Sequence, residues 1–313
     1  MKIYHHIDEF KQIHNAVVTI GTFDGVHIGH QKIISRLQEV AKNIGGESVI
    51  LTFFPHPRMI LHPDDPNIKL ISTLDEKAEK LAAMGIDHLI ITPFTRDFSN
   101  LSPLEYIKEV LVEKIGTRYI IIGYDHRFGK DRTGGMKELQ SLASDFDFDV
   151  EEIPEQDIHD VAVSSTKIRN AILSGDTKTA NDFLGYAFQL RGKVIKGDQL
   201  GRVLGFPTAN LFLEESYKLI PSDGIYAVNI DFMSIELNQM PAKGMAYIGH
   251  RPTINGMSRN IEVNIFDFDQ DIYGQTICIN FMEYLRADKK FDSLEKLREQ
   301  LIKDEKAARK ILL

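Results

Sequence analysis

One stretch limits the fold of this chain more than any other. Ala16-Val-Val-Thr-Ile20, apolar and β-branched, runs straight into Gly21-Thr-Phe-Asp-Gly-Val-His-Ile-Gly-His30. Behind it Ile33, Ile34, Leu37, Val40 and Ala41 recur at helical spacing, with Lys32, Arg36, Glu39 and Lys42 between them. A buried strand therefore feeds a helix through a turn holding three glycines and two histidines. Gly21, Gly25 and Gly29 permit positive φ and leave room for a ligand near the backbone. The helix offers unpaired N–H groups and the positive end of its dipole, which suits phosphate. His27 and His30 add donors for charge developing on a phosphoryl group. The glycines fit neither the dinucleotide fingerprint nor a P-loop. A metal site is disfavoured, because no carboxylate or cysteine lies at ligand spacing.

Further along, strands end in polar loops. Ser48-Val-Ile-Leu-Thr-Phe53 is a core strand emptying into Phe54-Pro-His-Pro-Arg58, where proline stops the hydrogen-bond ladder. Thr73 to Glu76 is a capping box for a helix that Gly85 closes, His88 to Ile91 is a third strand, and Ser102 to Glu105 caps a helix ending at Gly116. Phe94, Arg96, Asp97 and Phe98 sit on a loop from Pro93 to Leu101, where the aromatics either border a flat substrate or pack back on the fold. Tyr119 to Gly123 is a fourth strand emptying into Tyr124-Asp-His-Arg-Phe-Gly129. A helix near Met136 to Ser144 and a strand near Phe148 to Ile153 follow, then Val163-Ser-Ser-Thr-Lys-Ile-Arg169 opens a further helix. Two hydroxyls with Lys167 and Arg169 exceed what a cap needs, and suit the departing β- and γ-phosphates. Five strands alternating with helices predict an open parallel sheet, with Met1 to Asn15 as a short lead-in.

After a helix from Asp176 to Leu184, stopped by Gly185, the pattern changes. Tyr226, Val228, Ile230 and Phe232 alternate, as do Ile261, Val263 and Ile265, then Ile277, Ile279 and Phe281. Short alternating strands in series predict a closed antiparallel barrel. A charged helix from Ser293 to about Arg309 ends the chain, with Leu294, Leu297, Leu301 and Ile302 as its apolar stripe. The barrel carries Lys196-Gly-Asp-Gln-Leu-Gly-Arg-Val-Leu-Gly-Phe-Pro-Thr-Ala-Asn210, whose glycines and bases can wrap a polyphosphate. Thr208 and Asn210 are oxygen donors suited to Mg²⁺. Glu262 points away from Ile261 and Val263 and shares a face with Asn264. It is either a solvated surface acid or, if it faces the barrel mouth, a base for a substrate hydroxyl.

The chain has 313 residues, enough for two domains, with 43% hydrophobic and 26% charged content. Its net charge of −8 argues against a nucleic-acid footprint. No apolar run approaches a membrane span, and no signal-peptide core is evident. The one cysteine, Cys278, excludes an internal disulfide, reads as a buried filler and points to a reducing cytoplasm.

The motif G-x-F-D-G-x-H-x-G-H over residues 21–30 resembles the nucleotide-binding motif of the nucleotidylyltransferase superfamily. With T-F-x-P-H-P at 52–57, G-x-D-x-R-F-G at 123–129, S-S-T-x-I-R at 164–169, G-R-x-L-G-F-P-T-A-N at 201–210, Gly249-His-Arg-Pro-Thr253 and Ile261-Glu-Val263, nearly the whole chain resembles the bacterial bifunctional riboflavin kinase/FAD synthetase family. The resemblance implies a Rossmann-like adenylyltransferase domain over 1–185 and a riboflavin kinase barrel with a terminal helix over 186–313. It implies phosphorylation of riboflavin to FMN, then adenylylation to FAD, with ATP as co-substrate and Mg²⁺ as cofactor.

Residue by residue it implies catalytic roles for Glu262, His27, His30 and Arg169. ATP and phosphate binding in the first domain fall to Gly21, Phe23, Asp24, Gly25, Gly29, Ser165 and Thr166, and flavin binding to His56, Asp125, Arg127 and Phe128. ATP binding in the kinase falls to Gly197, Gly201, Arg202, Gly205 and Pro207, and Mg²⁺ to Thr208 and Asn210. His126 stands where the family usually has phenylalanine, Gly135 where an acid or amide is frequent, and Gly185-Tyr186 departs from the usual arginine and proline. Two other readings are an enzyme retaining one activity, and a flavin carrier without turnover.

Overall fold

The structure, a computed structural model, describes residues 1–65, 68–154, 163–197, 200–234, 242–250 and 259–313. Asp198, Gln199 and Arg251 to Thr253 lie outside the described residues. The chain divides into two compact units, Met1–Ser165 and Thr166–Leu313.

The first unit is a parallel sheet. Its strands are β1 (Lys2–Tyr4), β2 (Ala16–Ile20), β3 (Glu47–Phe53), β4 (His88–Thr92), β5 (Thr117–Gly123) and β6 (Asp149–Ile153), in the order β1-β4-β3-β2-β5-β6. Six strands replace the five expected, because the lead-in pairs in parallel with β4. The added edge strand is pinned by Tyr4, whose hydroxyl lies 3.1 Å from His88 Nδ1, while His88 Nε2 meets Glu47 at 2.8 Å.

Strand β2 is buried along its whole length, as its sequence demands. Ala16, Val18 and Ile20 enter one apolar layer with Ile107, Leu111 and Leu139. Val17 enters the opposite layer with Ile34, Leu37 and Leu81. The order of strands reverses at β2: β3 and β4 lie on one side of it, β5 and β6 on the other. Ligands of such sheets bind where that reversal opens a crevice at the carboxyl ends, here between the ends of β2 and β5.

Helices form where their signals stood. Thr73 and Glu76 make a reciprocal capping box on Leu74–Ala83. Ser102 and Glu105 make a second, on Pro103–Glu105, which continues as a π-wound stretch, Tyr106–Ile115, closed by Gly116 at φ 70°. The π winding was not signalled by the sequence. The Pro93–Leu101 loop contains a short helix, Arg96–Ser99. Its aromatics pack back on the fold: Phe94 and Phe98 meet Phe53 with ring centroids 5.6 and 5.3 Å apart.

The second unit is a closed barrel of β7 (Gln189–Ile195), β8 (Ala209–Phe212), β9 (Gly224–Phe232), β10 (Ala242–Gly249), β11 (Asn260–Ile265) and β12 (Thr276–Arg286), in the order β10-β11-β8-β7-β12-β9. Helices Ser165–Leu173 and Thr177–Leu184 attach to it: Ser222 N–H donates to Ile172 O, and Asn181 Nδ2 donates to Phe281 O at 2.8 Å. Cys278 is buried in β12, as a filler should be.

The terminal helix, Leu294–Ile311, lies against the barrel through Leu297, Leu301, Ala308 and Leu312. Its expected stripe is half right. Leu294, 51% exposed, lines the barrel cavity with Leu297 and Leu301, whereas Ile302, 47% exposed, falls off the contact line that continues to Ala308 and Leu312. A buried ion pair locks the helix instead. Asp304 accepts from Arg286 Nε and Nη2, at 2.9 and 2.7 Å, and from Gln300 Nε2. Removing one partner of such a pair leaves the other desolvated. Asp304→Ala should lower the unfolding free energy of the barrel unit by about 2–3 kcal/mol, the guanidinium being partly solvated. Denaturant titration followed on the second unit checks this, and a change under 0.5 kcal/mol contradicts it.

Candidate functional sites

The first site grows out of the turn after β2. His27 is the N-cap of helix Ile28–Ile44, its Nδ1 accepting the His30 backbone N–H at 3.4 Å. That contact places the neutral ring's proton on Nε2. His30 stacks on His27 with centroids 3.7 Å apart and planes 17° apart. Burial, His27 and Lys77 hold the His30 imidazole well below its ordinary pKa, so it is neutral at pH 7. Its Nδ1 is buried with no hydrogen-bond partner among the described residues.

The turn uses its glycines differently from expectation. Only Gly25 has positive φ, at 81°; Gly29 lies inside the helix. Positive φ falls instead on Phe23 (45°) and Val26 (39°), a costly choice for a β-branched residue. Phe23 is buried and its ring lies 5.0 Å from that of His30. Gly21 leaves room for that ring, since a Cβ there would come 3.1 Å from it and the ring would have to give.

What holds this shape is Asp24. Its carboxylate, 2% exposed, accepts the backbone N–H groups of Ile71 (2.9 Å) and Ser72 (3.2 Å). Ser72 Oγ in turn accepts from Gly25 N–H at 3.1 Å. Asp24 was expected among the phosphate-binding residues. Its carboxylate instead accepts from backbone N–H groups, a pairing that a phosphate, itself an anion, could not make with it. Ser165 Oγ donates to Asp24 O at 3.1 Å, so the Ser-Ser-Thr segment reaches this turn through Ser165. Thr166 is exposed and Arg169 half-buried on their helix.

The expected flavin-binding residues divide. Asp125 and Arg127 are exposed at the end of β5, with Arg127 Nη1 donating to His126 O. His56 is buried and caps Pro57–Leu61, its Nδ1 accepting from Arg58 N–H at 3.1 Å. Phe128 belongs to the core: it is buried, and its ring lies 5.1 Å from Tyr106 in a stacked pair. An aromatic chain from Phe53 through Phe98 and Tyr106 absorbs it.

The second site lies in the barrel. Glu262 of β11 faces Asn210 of β8 in register. Glu262 Oε2 accepts from Thr208 Oγ1 at 3.1 Å, and Oε1 from Asn260 Nδ2 at 2.6 Å. Asn264, next on the same face, donates to Pro207 O. Together with Tyr247, Met245 and Leu297, residues Thr208, Glu262 and Asn264 line a cavity of about 510 Å³. Glu262 therefore lines the cavity, on the face opposite to buried Ile261 and Val263. The Thr208, Asn210 and Glu262 set is all hard oxygen and amide chemistry, which fits a hard divalent cation. Gly197 lies against the Asn210 amide, where any Cβ would collide, so the loop needs glycine there. Gly201 sits in a short helix, Leu200–Val203, with Arg202; Gly205 turns the chain at φ 84°.

Family models match both halves: FAD synthetase over residues 9–167 and riboflavin kinase over 184–312. A bifunctional riboflavin kinase/FMN adenylyltransferase of Listeria monocytogenes is 39% identical, across 96% of this chain and 94% of its own length. The chain belongs to the bifunctional riboflavin kinase/FMN adenylyltransferase family.

A Bacillus subtilis member is 35% identical over 97% of this chain. A solved Streptococcus pneumoniae structure, described as a macrolide-efflux protein, is 32% identical with a TM-score of 0.88 and 98% coverage of both chains. No helix among the described residues is long and apolar enough to cross a membrane.

Two features of this family member were not legible in motifs. Lys77, buried beneath the first turn, has no motif of its own; a lysine on the buried face of an amphipathic helix was the one available signal. Asn260 and Asn264 follow from the period of two around Glu262.

His126, the departure from the family phenylalanine, keeps the aromatic place, its ring 5.9 Å from Phe128. Its Nε2 is buried without a partner among the described residues. Burial, with Arg132 and Arg127 nearby, pushes its pKa down to about 4. Between pH 6.5 and 4 the unfolded chain therefore takes up a proton that the folded chain refuses, and stability falls as pH falls. His126→Phe should remove that acid limb and raise stability at pH 7 by about 1 kcal/mol. Denaturant midpoints across pH 4–7 check it; parallel curves for the two proteins contradict it.

Proposed function

We propose that residues 186–313 phosphorylate riboflavin and residues 1–185 adenylylate the resulting FMN. The observation that carries the first half is the carboxylate of Glu262 in the lining of a cavity, opposite Asn210 and bonded to Thr208. An isoalloxazine is flat with an apolar dimethylbenzene end, which lining residues such as Met245 and Leu297 suit, while Glu262 suits a hydroxyl. Glu262 takes the proton of the riboflavin 5′-hydroxyl as that oxygen attacks the γ-phosphorus of ATP. The bond from the γ-phosphorus to the bridging oxygen breaks, and ADP leaves. Gly197, Gly201, Arg202, Gly205 and Pro207 line the polyphosphate. Thr208 and Asn210 would hold Mg²⁺, which supplies neutralisation of the transferring charge when bound.

In the first domain no side chain need become a covalent nucleophile. A phosphate oxygen of FMN attacks the α-phosphorus of a second ATP, and pyrophosphate leaves. His27 and His30 donate to the oxygens that gain charge; Gly21, Phe23, Gly25 and Gly29 give the triphosphate backbone room. Ser165, Thr166, Lys167 and Arg169 are the residues suited to the departing pyrophosphate. Asp125, Arg127 and His56 border the flavin. The substrates are riboflavin, FMN and ATP, with neither nucleic acid nor membrane as partner, and the working compartment is the cytoplasm.

Glu262→Ala should lower FMN formation by about 10²–10⁴-fold and leave FAD formation from supplied FMN unchanged. Loss of both activities contradicts independent sites. His30→Ala should make FMN accumulate from riboflavin, with FAD output down at least about 10²-fold. Unchanged FAD output removes His30 from the reaction.

A further inference from the structure

Beneath the first turn lies a charge that the proposed chemistry does not use. Lys77, on helix Leu74–Ala83, is 5% exposed. A buried ammonium is costly unless its three donors are satisfied. Among the described residues the Lys77 ammonium makes one hydrogen bond, to Thr52 Oγ1 at 3.4 Å. Thr52 Oγ1 donates to Thr22 O at 3.3 Å. Thr52 is the next-to-last residue of β3, and Thr22 is in the turn after β2. One ammonium thus sits at the carboxyl ends of two central strands, under the residues that face ATP.

The helix that carries it is bolted to the same turn. Asp24 holds Ile71 and Ser72, and Ser72 holds Gly25, immediately before the Thr73 cap. The ionisable groups around the ammonium are Asp24, whose charge favours it, His30 and His27 on the turn, and Glu76 one position earlier on its own helix, engaged with the Thr73 N–H. A structural filler at this place would be a leucine or methionine, without the desolvation cost. An unsatisfied charge retained at a strained turn marks function.

We propose that Lys77 is a positioning residue for adenylyl transfer: through Thr52 it braces the ends of β2 and β3, and its positive charge beneath the turn sets the field in which His30 meets the triphosphate. This rests on the adenylyl-transfer reading of the first domain. The charge acts in two directions. It disfavours a second positive charge on His30 before ATP arrives, and it attracts the polyphosphate once ATP is bound. Burial brings the ammonium's own pKa down to about 8, so both effects fade above that pH.

The test uses the full chain. The His30 imidazole is followed by NMR titration, its signal assigned by loss in His30→Gln. In Lys77→Met the His30 titration should move up by about 1 pH unit, as expected for loss of one neighbouring charge. The acid limb of FAD formation from FMN should move up with it, and the KM for ATP should rise about tenfold. Riboflavin phosphorylation in the barrel serves as the internal control and should stay unchanged. In Lys77→Arg, which stays charged, the decline in kcat/KM for ATP expected above pH 8 in the parent should disappear. An unmoved His30 titration in Lys77→Met overturns the proposal. If that variant fails to fold, Lys77→Arg decides, and a profile coinciding with the parent's above pH 8 overturns it. Absence of FAD formation in the parent counts against the adenylyl-transfer reading, while the titration still judges Lys77.

Discussion

The first unit depends on one buried carboxylate meeting two backbone N–H groups. Asp24 reaches from the turn after β2 to Ile71 and Ser72, and these bonds hold Phe23 and Val26 in left-handed conformations that neither would adopt alone. With that shape fixed, helix Ile28–Ile44 starts at His27, and His30 stacks on the capping ring. Without it the strand would still form, because its apolar layers do not need the turn. The pair of imidazoles would lose its aim. The position of Asp24 in the motif is therefore mechanical before it is chemical.

The barrel solves a similar problem by register. Pairing of β8 with β11 sets Asn210 opposite Glu262, and the period of two lines Asn260, Glu262 and Asn264 along one face. A slip by one residue would bury the carboxylate and expose Ile261 and Val263. The apolar neighbours thus fix the acid's direction, and Thr208 and Asn260 fix its rotamer through hydrogen bonds at 3.1 and 2.6 Å. The terminal helix closes one side of the cavity, held there by the Arg286 and Asp304 pair.

Much of this was readable from local pattern. Continuous β-branched runs marked the parallel strands, alternation marked the barrel, and serine or threonine with glutamate three residues on marked helix starts at Thr73 and Ser102. What escaped was set by distant partners. Strand β1 is three residues long and exists because β4 offers it an edge, which no local signal reveals. Phe128 looked like a ligand-facing aromatic, but Tyr106 and Phe98, far away in sequence, claim it for the core. The glycine-rich turn suggested positive φ at three glycines, of which Gly25 alone adopts it, while Phe23 and Val26 beside the Asp24 clamp take it as well. Lys77 carries no motif and becomes meaningful only when burial is known. The two motif histidines and Glu262 were legible because each sits at a strand end or on a strand's minority face.

The proposed function requires one chain to perform two reactions in sequence on two ATP molecules. Incubation of the full protein with riboflavin, Mg²⁺ and ATP labelled in either the γ- or the α-phosphate, with flavins resolved by chromatography over time, tests it directly. Among the flavins, γ-label should enter FMN and pass into FAD, while α-label should appear in FAD alone and only after FMN has formed. Absence of γ-label from FMN, or of α-label from FAD, would contradict that function.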